Sequence, residues 1–272
     1  MSSVLASASL WQRELVRFFR QPSRLAGAFL PPLLFWLVIG SGLSGSFRVG
    51  ASRGAAAGGG GLDFLEYFFP GTVILLVLFA AIFSTISLIE DRSAGFLQGV
   101  LVAPVGAGAL VAGKVLGGAT LAWLQGIVFL LLAPAAGVPL APAGALAAAG
   151  VLGLVAIALT SFGFAFAWKV DSTQGFHAVM NLLLAPMWLL SGAFFPLSGA
   201  PAWLAGLMRA NPLTYGVAAL RRALYLGAGA EAGVGAAAEA APLGLSLTVL
   251  LVWCGGALVV DWILVARRAR RR

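Results

Sequence analysis

Long apolar runs alternate with short polar breaks along this chain of 272 residues. A bilayer core about 30 Å thick takes about 20 consecutive apolar residues to cross as a helix. By that measure six crossings are predicted, over residues 25–44, 68–89, 108–138, 143–168, 176–195 and 243–266. Pro31 and Pro32 kink the first, and Pro134 tilts or breaks the third. Residues 46–61 are glycine-rich and read as a flexible loop. Pro139 and Pro142 make a tight turn between the third and fourth crossings, and the stretch KVDSTQ, residues 169–174, is a short polar loop.

Two stretches depart from this pattern. Over residues 1–24, at about 100° per residue, Trp11, Leu15, Phe18 and Phe19 share one face, with Arg13, Arg17, Arg20 and Arg24 opposite. That is the pattern of a helix lying on the membrane surface, with lipid as its partner. The plainer reading is a basic flank anchoring the first crossing. The second stretch is residues 196–241. Residues 197–208 are apolar, but about a dozen residues cannot span about 30 Å, so a re-entrant or interfacial hairpin is predicted there. Its second arm is a short helix over residues 211–226, followed by a small-residue loop over 231–241.

Composition narrows the class. The chain is 61% hydrophobic and 10% charged, against about 25% charged in soluble domains. The fold class is therefore an all-α polytopic membrane protein, a single transmembrane domain over residues 1–272. The net charge of +8 gathers at the chain ends, which suits a membrane surface and gives no reason to expect nucleic acid. Arg13, Arg17, Arg20, Arg24, Arg92, Lys114, Lys169 and the tail arginines 267, 268, 270, 271 and 272 fall on one side of a six-crossing topology. Only Arg48, Arg53, Arg209, Arg221 and Arg222 fall on the other. The richer side, with both termini, is expected to be cytoplasmic. The single cysteine, Cys254, allows no disulfide framework or cysteine-based metal site. The first apolar run starts behind a long basic segment, so no cleavable signal pattern is read.

The charged break EDRSAGFLQGVLVAP, residues 90–104, stands out because Lys114 is the only charge between Arg92 and Lys169. Residues 92–101 are predicted to form a short helix with Phe96, Leu97, Val100 and Leu101 on one side, stopped by Pro104. An apolar stripe outside lipid needs a groove in a partner; the alternative is a connector that folds back onto the bilayer. Glu90, Arg92, Gly95 and Pro104 match the E-x-R-x-x-G…P signature that follows the second span in ABC-2-type permeases, the membrane subunits of ATP-binding-cassette exporters. Asn211, Pro212, Leu213, Tyr215 and Arg221 match that family's N-P-L-x-Y…R element. With the span count and the basic start, the chain resembles this family over its whole length, and most closely its drug-resistance and nodulation-factor exporter branch.

The resemblance implies a division of labour. A separate cytoplasmic ATPase subunit would bind ATP and Mg, and this chain would be no enzyme and carry no cofactor. Glu90, Arg92, Gly95, Phe96, Leu97, Val100, Leu101 and Pro104, within the loop 90–107, would be the coupling helix. Asn211, Pro212, Leu213, Tyr215 and Arg221 would belong to an external gate. Two permease chains, copies or relatives, would join two ATPases in a bacterial inner membrane. The cargo should be hydrophobic or amphipathic, such as a drug, a lipid or a lipid-linked glycan, because the crossings hold almost no fixed charge.

Other motifs compete. Gly108 to Lys114 fits G-x-x-x-x-G-K, but Val115 stands where a Mg-binding hydroxyl belongs. Small residues for helix packing, with Lys114 snorkelling to the inner interface, explain it instead. Ser44 in Gly42-x-Ser44-Gly45 and His177, the only histidine, raise an intramembrane serine protease. The two fall at opposite ends of their crossings, about 30 Å apart, too far for a dyad. A nucleotide-independent channel would want ionisable groups at mid-membrane. Asp261 reads instead as an interfacial ion pair with Arg267 and Arg268. Gln125, Thr160, Asn181 and Ser191 either line a path or hydrogen-bond between helices.

Overall fold

The computed structural model describes residues 3–20, 22–43, 48–49, 62–102, 106–227 and 241–270. These residues are almost wholly helical. The helices are α1 Ser3–Phe19, α2 Pro22–Leu43, α3 Phe64–Ser84, α4 Ile86–Ser93, α5 Phe96–Val102 and α6 Ala107–Leu130. They continue with α7 Pro142–Lys169, α8 Thr173–Leu189, α9 Ala202–Ala210, α10 Pro212–Leu224 and α11 Leu243–Arg270. Two short strands, β1 Arg48–Val49 and β2 Leu62–Asp63, pair antiparallel between α2 and α3.

Helix α3 is the axis of the bundle, and α2, α6, α7, α8 and α10 pack around it. Its residues are apolar on every side, the pattern of a helix enclosed by others: Phe68, Phe69, Val73, Ile74, Leu76, Val77, Leu78, Ala81 and Ile82 are fully buried. The last helix, α11, is also apolar but turned outward. Leu250 and Val265 face the bundle, while Leu245, Leu251, Val252, Val259 and Trp262 are exposed. In lipid, apolarity does not pull helices together, so close backbone approach has to. Gly113 and Gly117 of α6 provide it for α1. A side chain at Gly113 would meet Leu10 Cβ at 2.6 Å, and one at Gly117 would meet Glu14 Cβ at 2.8 Å. The Gly-x-x-x-x-Gly-Lys stretch is thus continuous helix, with Gly113 packed beneath α1.

Among the described residues, four helical stretches are long and apolar enough to cross a bilayer: residues 64–93, 107–130, 142–169 and 243–268. The first runs through α3 and α4. The apolar part of α2, Phe29–Gly42, is shorter, and α8 has 17 residues. Boundaries also moved. The third predicted crossing ends at Leu130, because the chain turns through a 3-10 segment, Ala133–Ala136, into Gly137 at φ +79°. The fifth ends at Leu189, short of 195. Two short helices, α9 and α10, follow it where the hairpin is expected.

Candidate functional site

The charged break folds into two helices rather than one. Its expected helix over 92–101 is interrupted at Gly95, whose φ of +76° only glycine adopts cheaply. Ser93 therefore ends α4, with Arg92 in its last turn, and Phe96 begins α5. Leu97 is buried and Val100 packs against the core, so the apolar stripe turns largely onto this chain itself. Phe96 remains 37% exposed, with the Arg13 guanidinium 3.9 Å from its ring centroid. Gln98 and Gly99 face outward. The side chain of Leu101, and all of Pro104, lie outside the described residues.

Glu90, Asp91 and Arg92 do separate jobs. Arg13 grips Asp91 through two 2.7 Å bonds. Arg17 reaches Asp91 at 3.2 Å and Glu90 at 2.6 Å. Lys114, buried in α6, donates to Asp91 and, at 2.5 Å, to Glu14. Three cations thus meet three carboxylates across α1, α4 and α6. Bonding to Asp91 raises the Arg13 guanidinium above its already high pKa, against the opposing effect of burial. Lys114 is therefore no snorkelling residue: its ammonium is sealed against two carboxylates. Arg92 points the other way. It donates to the carbonyls of Ala167, Trp168 and Val170 at 3.2, 2.7 and 3.0 Å, and to Asp171 at 3.1 Å. A cation there satisfies the open carbonyls at the end of α7 and complements its dipole.

The N-terminal helix is amphipathic in a more complex way than its sequence implies. Ala6, Leu10 and Glu14, spaced by four, face α6. Arg13 and Arg17 lean into the ion cluster rather than standing clear on a polar face. Arg20, Val4, Val16 and Phe19 are exposed, Phe18 is half-buried, and Trp11 donates its indole N–H to Thr120 at 3.1 Å.

Above the ion cluster lies a cavity of about 870 Å³. Its wall combines Phe18 of α1, Pro31, Pro32 and Phe35 of α2, Phe79 and Phe83 of α3, Glu90 of α4, Gln125 of α6, and His177 and Trp188 of α8. The lining is aromatic and apolar, with few polar groups. Gln125 is 4% exposed and its Oε1 has no hydrogen-bond partner among the described residues, so it can accept a hydrogen bond from an occupant. Away from α4 the cavity meets an aromatic cluster, with Phe35, Phe68, Trp188 and Phe194 in ring contacts of 5.1 to 6.3 Å. The His177 ring lies tilted against Phe83, with centroids 5.0 Å apart. Ser44 lies outside the described residues, but Gly40 sits against Leu65. Leu65 and Phe83 are 18 residues apart, about 27 Å of continuous helix.

At the opposite end, each residue of N-P-L-x-Y has a local reason. Asn211 closes α9 and caps α10: its Oδ1 accepts from Leu213 N at 3.0 Å, and its Nδ2 donates to Met187 O at 2.6 Å. Pro212 takes the first helical position, where no N–H is needed. Leu213 is fully buried, and Tyr215 donates to Arg209 O at 3.0 Å. Arg221 is buried beside Tyr67, with its guanidinium 4.2 Å from the ring centroid.

Asp261 corrects an expectation. It makes no ion pair with Arg267 or Arg268. It is fully buried, accepts a hydrogen bond from Ser161, and leaves Oδ1 unpartnered among the described residues. Arg268 instead lies over Trp168. Among the described residues no group of histidine, cysteine and carboxylates could hold a metal ion.

The model of the ABC-2 type transporter family matches residues 7–225. A protein of Cyanophora paradoxa named as a candidate transport permease, ycf38, is 28% identical over 216 residues, 78% of this chain and 71% of that one. The daunorubicin resistance ABC transporter permease protein DrrB1 of Streptomyces coeruleorubidus is 25% identical over 229 residues, 81% and 75% of the two chains. The inner membrane transport permease YadH of Escherichia coli K12 is 24% identical over 265 residues, 97% and 95%.

Proposed function

This chain belongs to the ABC-2 type transporter family, and on that premise we propose that it is the permease of an ATP-driven exporter, powered by a separate ATPase that docks on α5. The cargo is hydrophobic or amphipathic and occupies the cavity between α2, α3 and α8. The observation that carries this reading is the position of that cavity. Glu90 of α4 belongs both to its wall and to the ion cluster that binds α1 to α4. A push on α5 would pass through Leu97 and through Arg13 over Phe96 to the clasped α1 and α4, and so to the cavity wall. The aromatic cluster at the far end is the barrier that such a movement would open.

Orientation follows the charge. Lys114, Lys169 and Arg268 belong to the same end of the bundle as α4 and α5, which supports a cytoplasmic placement of that end, with both termini, in the inner membrane. Helix α8 buries only Phe176, Met180, Leu184 and Trp188. Its remaining apolar surface suits a second permease chain across the cavity, in a homodimer.

The test is ATP-driven transport by the permease reconstituted with the ATPase that co-purifies with it. Phe96→Asp should abolish ATPase recovery and transport while leaving the membrane part folded. Recovery and transport at wild-type level in both Phe96→Asp and Gly95→Pro would remove α5 as the docking element.

A further inference from the structure

We propose that the pocket at the α3 N-terminal end, walled by Arg221 and Arg209, is an anion site that takes a phosphate group. Arg221 is 5% exposed. Its Nη2 reaches the carbonyls of Tyr67 and Gly192 only at 3.3 and 3.4 Å. Its Nε is buried without a partner, and Nη1 donates to none of the described residues. Among those residues no carboxylate lies within ion-pair distance of it. Glu66, next to Tyr67 in sequence, instead accepts the Tyr225 hydroxyl at 2.6 Å. Burial and that bond push the Tyr225 phenol far above its usual pKa.

A buried cation held by long bonds to neutral carbonyls and by the Tyr67 ring, with no acid in range, is costly to keep. Beside it lies a cavity of about 240 Å³. Its wall adds Arg209, which is exposed and makes no ion pair among the described residues, together with Thr214 and Tyr215. Those hydroxyls bond to backbone carbonyls, Thr214 to Leu190 and Met208, Tyr215 to Arg209. The donors left for an occupant are therefore guanidinium N–H groups. Two guanidiniums with no facing acid among the described residues select an anion, and the oxygens of phosphate match their planar forks. The phosphate can be carried by a lipid headgroup or be free in solution. The competing occupant is the chain's own Glu231 or Glu239, in the sequence that precedes Ala241 of the pocket wall.

Thermal unfolding of the full-length permease, delipidated in a non-ionic detergent, tests this. The probes are dihexanoyl phosphatidic acid, sodium phosphate and, as the phosphate-free control, dihexanoylglycerol, all at constant ionic strength. Phosphatidic acid should raise Tm saturably and dihexanoylglycerol should not. Arg209→Gln, at an exposed position that the fold does not need, should weaken the apparent affinity about tenfold, as should Arg221→Gln if it folds. An equal response to sodium phosphate assigns the site to the free anion; a response to phosphatidic acid alone assigns it to a lipid headgroup. No response to either phosphate probe, or an undiminished one in Arg209→Gln, overturns the proposal. So does a response seen only after Glu231→Gln or Glu239→Gln, which would make the chain's own carboxylate the occupant.

Discussion

The two ends of the bundle both bury charge, and they do so in opposite ways. At the α4 end, Arg13, Arg17 and Lys114 meet Glu14, Glu90 and Asp91 in a neutral cluster that ties three helices together. At the other end, Arg221 is buried against two carbonyls and a tyrosine ring, with no acid in range among the described residues. Breaking a buried pair leaves a stranded charge, whereas removing a lone ion strands nothing. The first arrangement is a mechanical clasp at the end where force is proposed to enter. The second holds little together and keeps a positive field open.

Four substitutions test that contrast, from the largest expected effect to the smallest. Lys114→Met should cost about 3–5 kcal/mol, because Glu14 and Asp91 lose their buried cation. Unfolding of the purified chain in detergent reads it. Adding Glu14→Gln should return much of the loss; a double variant as unstable as the single one would mean the clasp is not its source. At the other end, Asn211→Ala should cost about 1–2 kcal/mol by removing the cap of α10 and the bond to Met187. If it costs as much as Lys114→Met, the two ends are equally dependent on single polar residues. Gly95→Ala should cost about 1 kcal/mol, from its positive φ alone, since nothing lies within 4 Å of the added Cβ. Arg221→Met should change stability by no more than about 1 kcal/mol, and a loss near that of Lys114→Met would erase the comparison.

Much of this was legible in the sequence where the physics is local. The short helix after residue 211 and the break of the third crossing near Pro134 depend on neighbours within a few positions. Glu14 was not legible. One acid in a basic amphipathic segment reads as surface, and only the stripe Ala6, Leu10, Glu14 hints that this face is covered. Arg92 sits beside Asp91 in the motif, yet it caps α7 while Asp91 faces α1, because successive helical residues point about 100° apart. Asp261 misled for a related reason. Arg268 is seven residues along, about 10 Å of helix, and it settles on Trp168 while Asp261 meets Ser161 across the bundle.

The sequence by itself determined the class, the positions of the long apolar helices and the break near Pro134, because each follows from hydropathy over one run or from the missing N–H of proline. Tertiary structure alone decided that α3 is enclosed while α11 faces outward, and that Lys114 is paired with Glu14 across 100 residues of chain. The reason is the solvent. In a bilayer an apolar side chain suits both lipid and protein interior, so hydropathy does not separate the two. Close packing and ion pairing between distant segments do.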